Sequence, residues 1–592
     1  MIRFLASLAA ALVLAAPPLF AAAGPWVPGE PAHTPKAEVV PRLHLAPQAK
    51  AQAVRAHIEL TAPDAADMAA IRAHNQSQAQ MKRVAIGLTR TLDAAARTRG
   101  SDVTWTAVDG GFATQVSVTS SGAASLRTAI ALAGVPADVQ MVFFGSADPS
   151  RLFGPVTVGE IADRTQPWWS PVTEGDTQTV EFFAPAASAV AARAFVVTAA
   201  GHLFAAPSTK FAKFDPNNNI GSSGSCNVDI ACSPLVTSIP FGDAVGAVAQ
   251  LLFTDGAFQG LCTGTLLNDA DLLSQIPWLF SANHCFDNEN PPYKTPQQMQ
   301  VVANSLTTIW HFEATACRSG TVNPDWSQVS GGAQFLYNNP AQDALFVRLN
   351  HTAPPGSYFL GWDASSVATG TGITVIHHPE GDLKKVSTGS VLRLTSPGVG
   401  GGSIPFYEVG YNTGTTEPGS SGAGLLTFNG SQYLVRGALW GGLAACNAIT
   451  ATDYYSRFDL IYPSISQYIG ANGNAIDYTD LWWGGDSQSG WGLNIIQHAS
   501  RNIFAVWYTY DLNGHRTWYV ISGGTWSTAT TFGGTIYATT GPPASAASFD
   551  ASLVTRRVVG QGTLTFNDAN SGVFAYTIDG ITGAKNITRT PF

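Results

Sequence analysis

Charged side chains are scarce in this sequence: Asp, Glu, Lys and Arg make up only 12% of its 592 residues, about half of their usual share. The formal net charge of -9 is small for this length and spread along the chain, which argues against nucleic acid or an anionic membrane surface as a partner. The chain also lacks a phosphate-binding loop and any Cys/His set with metal-ligand spacing. We therefore expect neither a cofactor nor a metal.

Long apolar runs are missing too, because no segment reaches the roughly 18 unbroken apolar residues of a membrane span. A shorter run, Phe4–Ala16, follows Arg3 and precedes the small residues Ala21–Ala23. This is the pattern of a secretory signal peptide. We predict that residues 1–23 are a signal peptide cut after Ala23, and that the mature protein is soluble, secreted and extracellular.

Cysteine is absent outside positions 226–446, and the six cysteines in that interval fit an oxidising compartment. Six cysteines allow fifteen pairings in three disulfide bonds. Cys262 with Cys285 is the pair that the sequence favours, because it would tie a small-residue strand to the residue beside His284. A metal site is the alternative, but no Cys-x-x-Cys with partner histidines supports it.

The chain is too long for one hydrophobic core, so several domains are expected. Its 59 glycines, 15 tryptophans and 30 phenylalanines favour strands and turns over helix bundles. Residues 24–220 have helical spacing from Asp64 to Arg99 and strand patterns afterwards. They end in a polar linker at Phe214–Asn219. The strand patterns are Phe112–Val118, Val139–Phe144, Thr179–Phe183 and Ala194–Thr198.

A folded segment of this kind before a secreted domain is typical of an α+β propeptide. We interpret residues 24–220 as an intramolecular propeptide that acts as folding template and inhibitor. An accessory domain that stays attached is the alternative.

Aromatic residues cluster among Gly and Thr in the last part of the chain, residues 475–592, which predicts a small all-β accessory domain. Tyr510–Gly514 reads as a hairpin turn. The aromatic side chains either fill the core of this domain or form a face that contacts a polymer such as a polysaccharide. The cluster comprises Trp482, Trp483, Trp491, Trp507, Tyr508, Tyr510, Trp518, Tyr519 and Trp526.

A candidate nucleophile lies in the Gly/Ser-rich stretch Gly414–Gly422, where a turn can hold the Ser421 hydroxyl beside bare backbone amides. Acyl transfer needs a serine activated by a base and N–H donors for the oxyanion. The amides of Gly419 and Ser421 are the candidate oxyanion hole. Such clusters are also common as ordinary turns, so the other members of a catalytic triad are required.

Two further candidates stand upstream in the chain. His284 lies directly before Cys285, and Asp343 leads into the alternating apolar strand 344–349. The order His284, Asp343, Ser421 is that of the chymotrypsin group. Asp325 and Asp363 are the alternative orienting acids, but neither leads into so regular a strand.

Residues 226–469 resemble trypsin-like serine proteases, and within that group they are most similar to the bacterial lysyl endopeptidases. The matching motifs are Gly224–Asp229, Cys262–Gly264, Ser281–Cys285, Gly361–Asp363, His377–Pro379, Gly381–Lys385 and Thr416–Gly422. The resemblance implies a chymotrypsin-like double β-barrel, residues 221–470, with the triad between the barrels. It also implies disulfide bonds between Cys226 and Cys446 and between Cys232 and Cys317. We interpret His377 and His378 as structural, because adjacent residues on a strand face opposite sides.

Specificity depends on the charge at the bottom of the S1 pocket, which receives the side chain before the scissile bond. In trypsin the acid lies six residues before the nucleophile, and here that position is Thr415. The resemblance to lysyl endopeptidases instead implies Asp453, after the last cysteine, as the S1 acid; a solvated loop aspartate is the alternative. Trp440 and Gly441 align with the pocket wall, where those enzymes carry histidine in place of Trp440.

The resemblance places the mature start at Gly221, but the residue before it is Ile220 rather than a lysine. Self-cleavage after a basic residue would use Lys213 or Lys210. The resemblance implies a secreted serine endopeptidase that acts on protein and peptide substrates after basic residues, lysine favoured. An inactive protease-like protein and a polymer-binding secreted protein are the alternatives.

Overall fold

The computed structural model describes residues 25–34, 41–45, 54–207, 223–271, 274–287, 291–397, 404–470, 478–497, 502–511, 513–527, 530–543, 545 and 549–590. The predicted signal peptide, the linker at 214–219 and the expected mature start lie outside these residues. The described residues form an N-terminal domain, a domain of two β-barrels and a closed C-terminal barrel, which confirms the predicted mainly β fold.

The N-terminal domain combines strands with one helix, α1 (Ala65–Gln78). The helix begins at Asp64, whose carboxylate accepts hydrogen bonds from two backbone N–H groups, while Asp67 accepts one from the Asp64 N–H in return. Buried Val, Ile and Phe side chains of the sheets form the core. The strands up to the end of this domain are β1 (Trp26–Val27), β2 (Glu30–Pro31), β3 (Val54–Leu60), β4 (Val84–Thr91), β5 (Thr106–Val108), β6 (Gly111–Ser120), β7 (Ser125–Ala131), β8 (Gln140–Gly145), β9 (Phe153–Thr157), β10 (Trp168–Trp169), β11 (Thr173–Glu174), β12 (Thr177–Pro185) and β13 (Val196–Leu203).

The first barrel of the middle domain packs around a core that includes Leu251, Trp310 and Val347. Thr295 caps the helix α3, and a second short helix, α2, precedes the barrel. The elements of this part are β14 (Val228–Asp229), α2 (Ile239–Gly246), β15 (Val248–Asp255), β16 (Phe258–Leu267), β17 (Trp278–Ser281), α3 (Pro296–Asn304), β18 (Thr307–Trp310), β19 (Ser327–Ser330), β20 (Ala333–Asn339) and β21 (Ala344–Leu349).

The second barrel is built on one sheet with the order β1-β23-β28-β27-β24-β25-β26-β29. Helix α4 lies against it and buries Phe458 and Ile461 beside Trp362. The elements are β22 (Tyr358–Phe359), β23 (Gly361–Asp363), β24 (Gly372–His377), β25 (Lys385–Thr395), β26 (Phe406–Thr413), β27 (Gly424–Phe428), β28 (Tyr433–Gly442), β29 (Asp453–Tyr455) and α4 (Phe458–Ile469).

The N-terminal domain shares a sheet with the first barrel. Strand β4 pairs with β13 of its own domain on one side and with β16 of the barrel on the other. The expected helical region 64–99 is therefore only partly helical: the helix ends at Gln78, and residues 84–91 are a strand. Both neighbours of β4 come from distant parts of the chain, so tertiary pairing outweighs the local pattern.

Residues 25–34 form a second connection, which we call the strap. Its strands β1 and β2 pair with β23 and β22 of the two-barrel domain. Val27 is buried in the core around Trp362 and Phe458. The predicted propeptide thus contributes strands to both barrels of the predicted protease domain.

Three disulfide bonds are present, and all of them lie in the two-barrel domain. Cys262 in β16 is bonded to Cys285, so the turn after β17 is held against the preceding strand. The other two bonds join Cys226 to Cys446 and Cys232 to Cys317. The pairing is the one that the sequence and the resemblance indicated.

The C-terminal domain is a closed barrel of eight antiparallel strands. Its core is made by its own residues 478–587, with Trp482, Trp507 and Phe574 buried inside. The strands are β30 (Asp480–Trp483), β31 (Gly492–Gln497), β32 (Ile503–Tyr510), β33 (Arg516–Trp526), β34 (Thr531–Thr540), β35 (Thr555–Phe566), β36 (Ser571–Ile578) and β37 (Ile581–Arg589).

None of the helices in the described part of the chain is long and apolar enough to cross a membrane.

Because the C-terminal barrel has its own core, we expect it to unfold separately from the rest. The Trp482→Ala substitution removes a fully buried ring that packs against Phe566 and should destabilise this barrel by about 3–5 kcal/mol. Scanning calorimetry should show one of two transitions shifted to lower temperature. Leu481→Ala, at a neighbouring side chain that is 41% exposed, is the control and should shift neither transition appreciably. A single transition that moves as a whole would contradict the expectation.

Candidate active site

His284 is held by the turn that follows β17. It lies in the short 3-10 segment Asn283–Cys285, and the disulfide bond from Cys285 to Cys262 fixes this segment against β16. The side chain of His284 is almost completely buried. The imidazole therefore has one position, set by a covalent link at the next residue.

Asp343 binds His284 with both carboxylate oxygens. Oδ1 accepts the backbone N–H of His284 at 2.9 Å, and Oδ2 lies 2.8 Å from Nδ1 of the ring. Asp343 precedes β21 and has a φ of +49°, an uncommon backbone conformation for this residue type. With the carboxylate on Nδ1, the proton of a neutral ring resides there. Nε2 is then an acceptor, and it is buried without a hydrogen-bond partner among the described residues.

Ser421 lies on the opposite barrel, in the turn between β26 and β27. The turn packs against the histidine segment, with the Ser421 carbonyl oxygen 4.0 Å from Cys285 Sγ and accepting the Thr263 N–H at 2.8 Å. The structure thus brings the serine turn and the His284–Asp343 pair to one seam between the barrels. The Ser421 hydroxyl itself donates to the carbonyl oxygen of Met81 in the N-terminal domain.

Gly419 supplies the amide that was expected for an oxyanion hole. Its φ is +96°, and a Cβ atom here would lie only 2.6 Å from the carbonyl oxygen of His378, so the turn requires glycine. The Gly419 N–H donates to the carbonyl oxygen of Lys82 at 2.5 Å. A peptide carbonyl group therefore already occupies this position.

His377 supports the serine turn from behind. Its Nδ1 lies 2.8 Å from the Ser420 hydroxyl, and its Nε2 lies 3.1 Å from the hydroxyl of Ser387. Burial, with the charges of Lys82 and Lys385, lowers the pKa of His377 to about 3, so the ring is neutral near pH 7. His378 has a separate partner, the Asp382 carbonyl oxygen. The sequence indicated a structural role for both histidines but not the bond to the residue before the nucleophile.

Asp453 lies beside the serine turn, at the end of the space that the Lys82 side chain occupies, which we call the pocket. It is fully buried at the start of β29, where the Tyr411 hydroxyl donates to Oδ2 at 3.0 Å and the Ala444 N–H to Oδ1 at 3.2 Å. The Thr416 hydroxyl also donates to this carboxylate. The expectation of a solvated loop aspartate is therefore wrong for the structure.

Trp440 and Gly441 lie on β28, which pairs with β29 at Asp453, and their place in the wall of the S1 pocket stays a prediction. Trp440 packs on Met81, Phe406 and the partly buried Tyr454. At Gly441, whose φ is +153°, a Cβ atom would lie 2.2 Å from the Gln80 carbonyl oxygen. The absence of a side chain here lets another backbone approach the pocket entrance.

The pocket is filled by Lys82 of the N-terminal domain, which the sequence reasoning missed. Its ammonium group lies 2.7 and 2.6 Å from the two oxygens of Asp453 and donates to the Ala444 carbonyl oxygen at 2.8 Å. Burial lowers the pKa of Lys82, and the Asp453 carboxylate opposes that shift. The only sequence signal was a basic pair, Lys82 with Arg83, directly after a helix.

The alternative acids of the triad lie elsewhere. Asp363 accepts a hydrogen bond from Arg436 at 2.8 Å, and Asp325 is exposed. Neither carboxylate is the partner of His284, whose ring contacts Asp343.

The aromatic residues of the C-terminal barrel divide between its core and its outer surface. Trp482 and Trp507 are buried, whereas Tyr508, Tyr510 and Trp518 are about half exposed on β32 and β33. The expectation that aromatic side chains fill the core thus holds for part of the cluster, and a contact of the exposed ones with a polymer stays a prediction.

A histidine–aspartate pair that meets a serine turn at the seam of two β-barrels is the arrangement of a chymotrypsin-like serine endopeptidase, and this is the class of the protein. Models of the lysyl endopeptidase N-terminal and C-terminal domains match residues 59–204 and 220–456. A lysyl endopeptidase of Pseudomonas aeruginosa (strain PAO1) is 35% identical over 373 residues, which are 61% of this chain and 76% of the relative. The chain belongs to the lysyl endopeptidase family.

Solved structures of a protease from M. tuberculosis H37Rv also match. Its inactive form is 16% identical, with a TM-score of 0.26 over 40% of this chain and 97% of that chain. The active form is 17% identical, with the same TM-score over 40% of this chain and 88% of that chain.

Ser420 offers a test of how the serine turn is positioned. Ser420→Ala removes the hydrogen bond to His377, and we expect kcat of the processed enzyme on a lysyl ester to fall roughly 10- to 100-fold with KM nearly unchanged, because the nucleophile is displaced while the pocket is not. Ser431→Ala, at an exposed turn hydroxyl, is the matched control. A rise in KM without loss of kcat would contradict a positioning role.

Proposed function

We propose that the protein is a secreted serine endopeptidase that hydrolyses peptide bonds after basic residues, with lysine favoured. The observation that carries this proposal is the ion pair between the buried Asp453 and the ammonium group of Lys82, next to the serine turn. A buried carboxylate makes entry of a cationic side chain favourable and leaves a neutral side chain facing an unpaired charge.

The acceptors in the pocket converge on a single nitrogen atom. Besides both oxygens of Asp453 and the Ala444 carbonyl oxygen, the ammonium group of Lys82 donates to the carbonyl oxygen of Thr416 at 3.0 Å and to the Thr416 hydroxyl. An ammonium group is a compact charge with three donors, whereas a guanidinium group is planar and spreads five donors over a fork. This arrangement favours lysine over arginine.

Ser421, His284 and Asp343 are the proposed catalytic triad. His284 Nε2 accepts the proton of the Ser421 hydroxyl as that oxygen attacks the peptide carbonyl carbon, and then gives the proton to the leaving amine. Asp343 keeps the second ring proton on Nδ1 and stabilises the charged ring. Water enters as the second nucleophile and releases the acyl group from Ser421. The N–H groups of Gly419 and Ser421 are assigned to the negative oxygen of both tetrahedral intermediates.

The family relationship supports further assignments outside the site. We propose that residues 24–220 are a propeptide removed from the active enzyme, that residues 1–23 direct export, and that residues 475–592 are an accessory domain. The match of residues 59–204 to the lysyl endopeptidase N-terminal domain and the three disulfide bonds support these assignments.

The role of Asp343 can be tested by Asp343→Asn. The amide cannot hold the ring in the correct tautomer, so we expect kcat on a lysyl amide to fall about 10⁴-fold with a small change in KM. Asp325→Asn, at the exposed alternative acid, should retain activity. Comparable losses in the two variants would argue against Asp343 as the orienting acid.

The role of Asp453 is tested with matched substrates that differ only in the residue before the scissile bond, which is lysine, arginine or norleucine. Wild-type enzyme should prefer lysine over arginine and both over norleucine. In Asp453→Asn, kcat/KM for the lysyl substrate should fall roughly 10²- to 10³-fold, because the buried cation loses its counter-ion, while the norleucyl substrate changes far less. Equal losses on all three substrates would rule out Asp453 as the selector.

A further inference from the structure

Residues 80–83 of the N-terminal domain cross the site in the register of a bound substrate. The Gly442 N–H donates to the Gln80 carbonyl oxygen at 2.8 Å, and the Gly419 N–H donates to that of Lys82. The Lys82 side chain fills the pocket above Asp453. The peptide bond between Lys82 and Arg83 is therefore the bond presented for cleavage.

The catalytic groups are nevertheless not positioned to cleave this bond. The Ser421 hydroxyl donates to the Met81 carbonyl oxygen, one residue before the Lys82 carbonyl group, and His284 Nε2 has no hydrogen-bond partner among the described residues. Attack requires the hydroxyl proton to be directed to the histidine and the oxygen to the carbonyl carbon. Lys82 also has a φ of +59°, a conformation that places its carbonyl group out of line with an extended chain.

Arg83 anchors the chain on the far side of this bond. Its guanidinium group is buried, pairs with Asp255 at 2.7 Å, donates to the His284 carbonyl oxygen at 3.2 Å and lies over the ring of Phe253. Strand β4 begins at the next residue and pairs with β16. The segment after the bond is thus held by both a side chain and a sheet, so that it stays in place even if the bond is cut.

Arg127 adds a contact between the same two bodies. It is fully buried and donates to Gln259 at 2.8 Å, to the Ser305 carbonyl oxygen at 2.8 Å and to Thr254 at 2.7 Å, all in the two-barrel domain. Such contacts and an added strand are the means by which proteins bind a partner's sheet edge. The N-terminal domain therefore matches the surface around the site and not only the pocket.

We propose that Lys82 is the residue with which the N-terminal domain closes the pocket of its own protease domain, its side chain taking the place of a substrate's lysine. The partner of this surface is the processed protease domain, which it binds through β16, Asp255 and the Asp453 pocket. The Lys82–Arg83 bond is protected by the twisted conformation at Lys82 and by the diversion of the Ser421 hydroxyl to Met81. This inference rests on the proposed function, since it takes Asp453 as the base of the lysine pocket.

The test uses the full chain in a Ser421→Ala background, which keeps the chain uncut. The measured quantity is the affinity for a dansylated peptide amide with lysine at the position before the scissile bond, compared with the same peptide carrying norleucine. S421A should bind the lysyl peptide weakly because Lys82 occupies the pocket. S421A/K82A and S421A/K82M should bind it at least about tenfold more tightly, because a tethered competitor acts at an effective concentration near millimolar.

The control is S421A/R97A, which removes an exposed cation of the same domain and should bind like S421A. If S421A binds the lysyl peptide as tightly as S421A/K82A does, and binds it more tightly than the norleucyl peptide, Lys82 does not close the pocket. The proposed function would stand in that case. If S421A/K82A and S421A/K82M bind neither peptide more tightly than S421A does, the Lys82 side chain is not what closes the site and the proposal is wrong. If they bind both peptides more tightly but do not distinguish lysine from norleucine, the proposed function itself is wrong. Thermal melts of each variant identify any that is unfolded. If S421A/K82A is unfolded, the affinities of S421A/K82M, whose side chain is about as long as lysine, are used instead.

Discussion

A carboxylate shielded from water either takes up a proton or needs a cation beside it to stay charged, and the structure around Asp453 supplies the cation. Tyr411, Thr416 and Ala444 each donate a hydrogen bond to the carboxylate, but these neutral groups do not cancel its charge. In this form of the protein the charge is balanced by Lys82, which lies far away in the sequence. Under the proposed function, specificity and inhibition depend on the same interaction: any side chain that brings an ammonium group to the Asp453 carboxylate occupies the pocket.

The sequence was sufficient for those parts of the site that depend on local chemistry. A serine in a glycine-rich turn, a histidine next to a cysteine and an aspartate before an apolar strand can be recognised in the sequence. His284, Asp343 and Ser421 were therefore predicted from local residues and their order, and the structure places His284 beside Asp343. The bond of His377 to Ser420 could not, because it joins two turns of the second barrel that the sequence does not relate. Asp453 came from the resemblance rather than from any local pattern.

The contribution of the N-terminal domain was the part that the sequence could not reveal. Nothing near Lys82 indicates that it will meet Asp453, since their contact is made only when β4 joins β16. The same pairing explains why the helix predicted from the spacing after Gln78 is absent. Residues 84–91 complete the sheet of another domain, so their structure is determined by strands that are far away in the chain.

The strap at residues 25–34 pairs with strands that are synthesised much later than itself. Its strands β1 and β2 are made early in synthesis, yet their partners β23 and β22 are produced more than 300 residues later. Residues 26–31 can therefore pair only after residues 358–363 have been made. A chain truncated before residue 358 would leave these two strands without their partners.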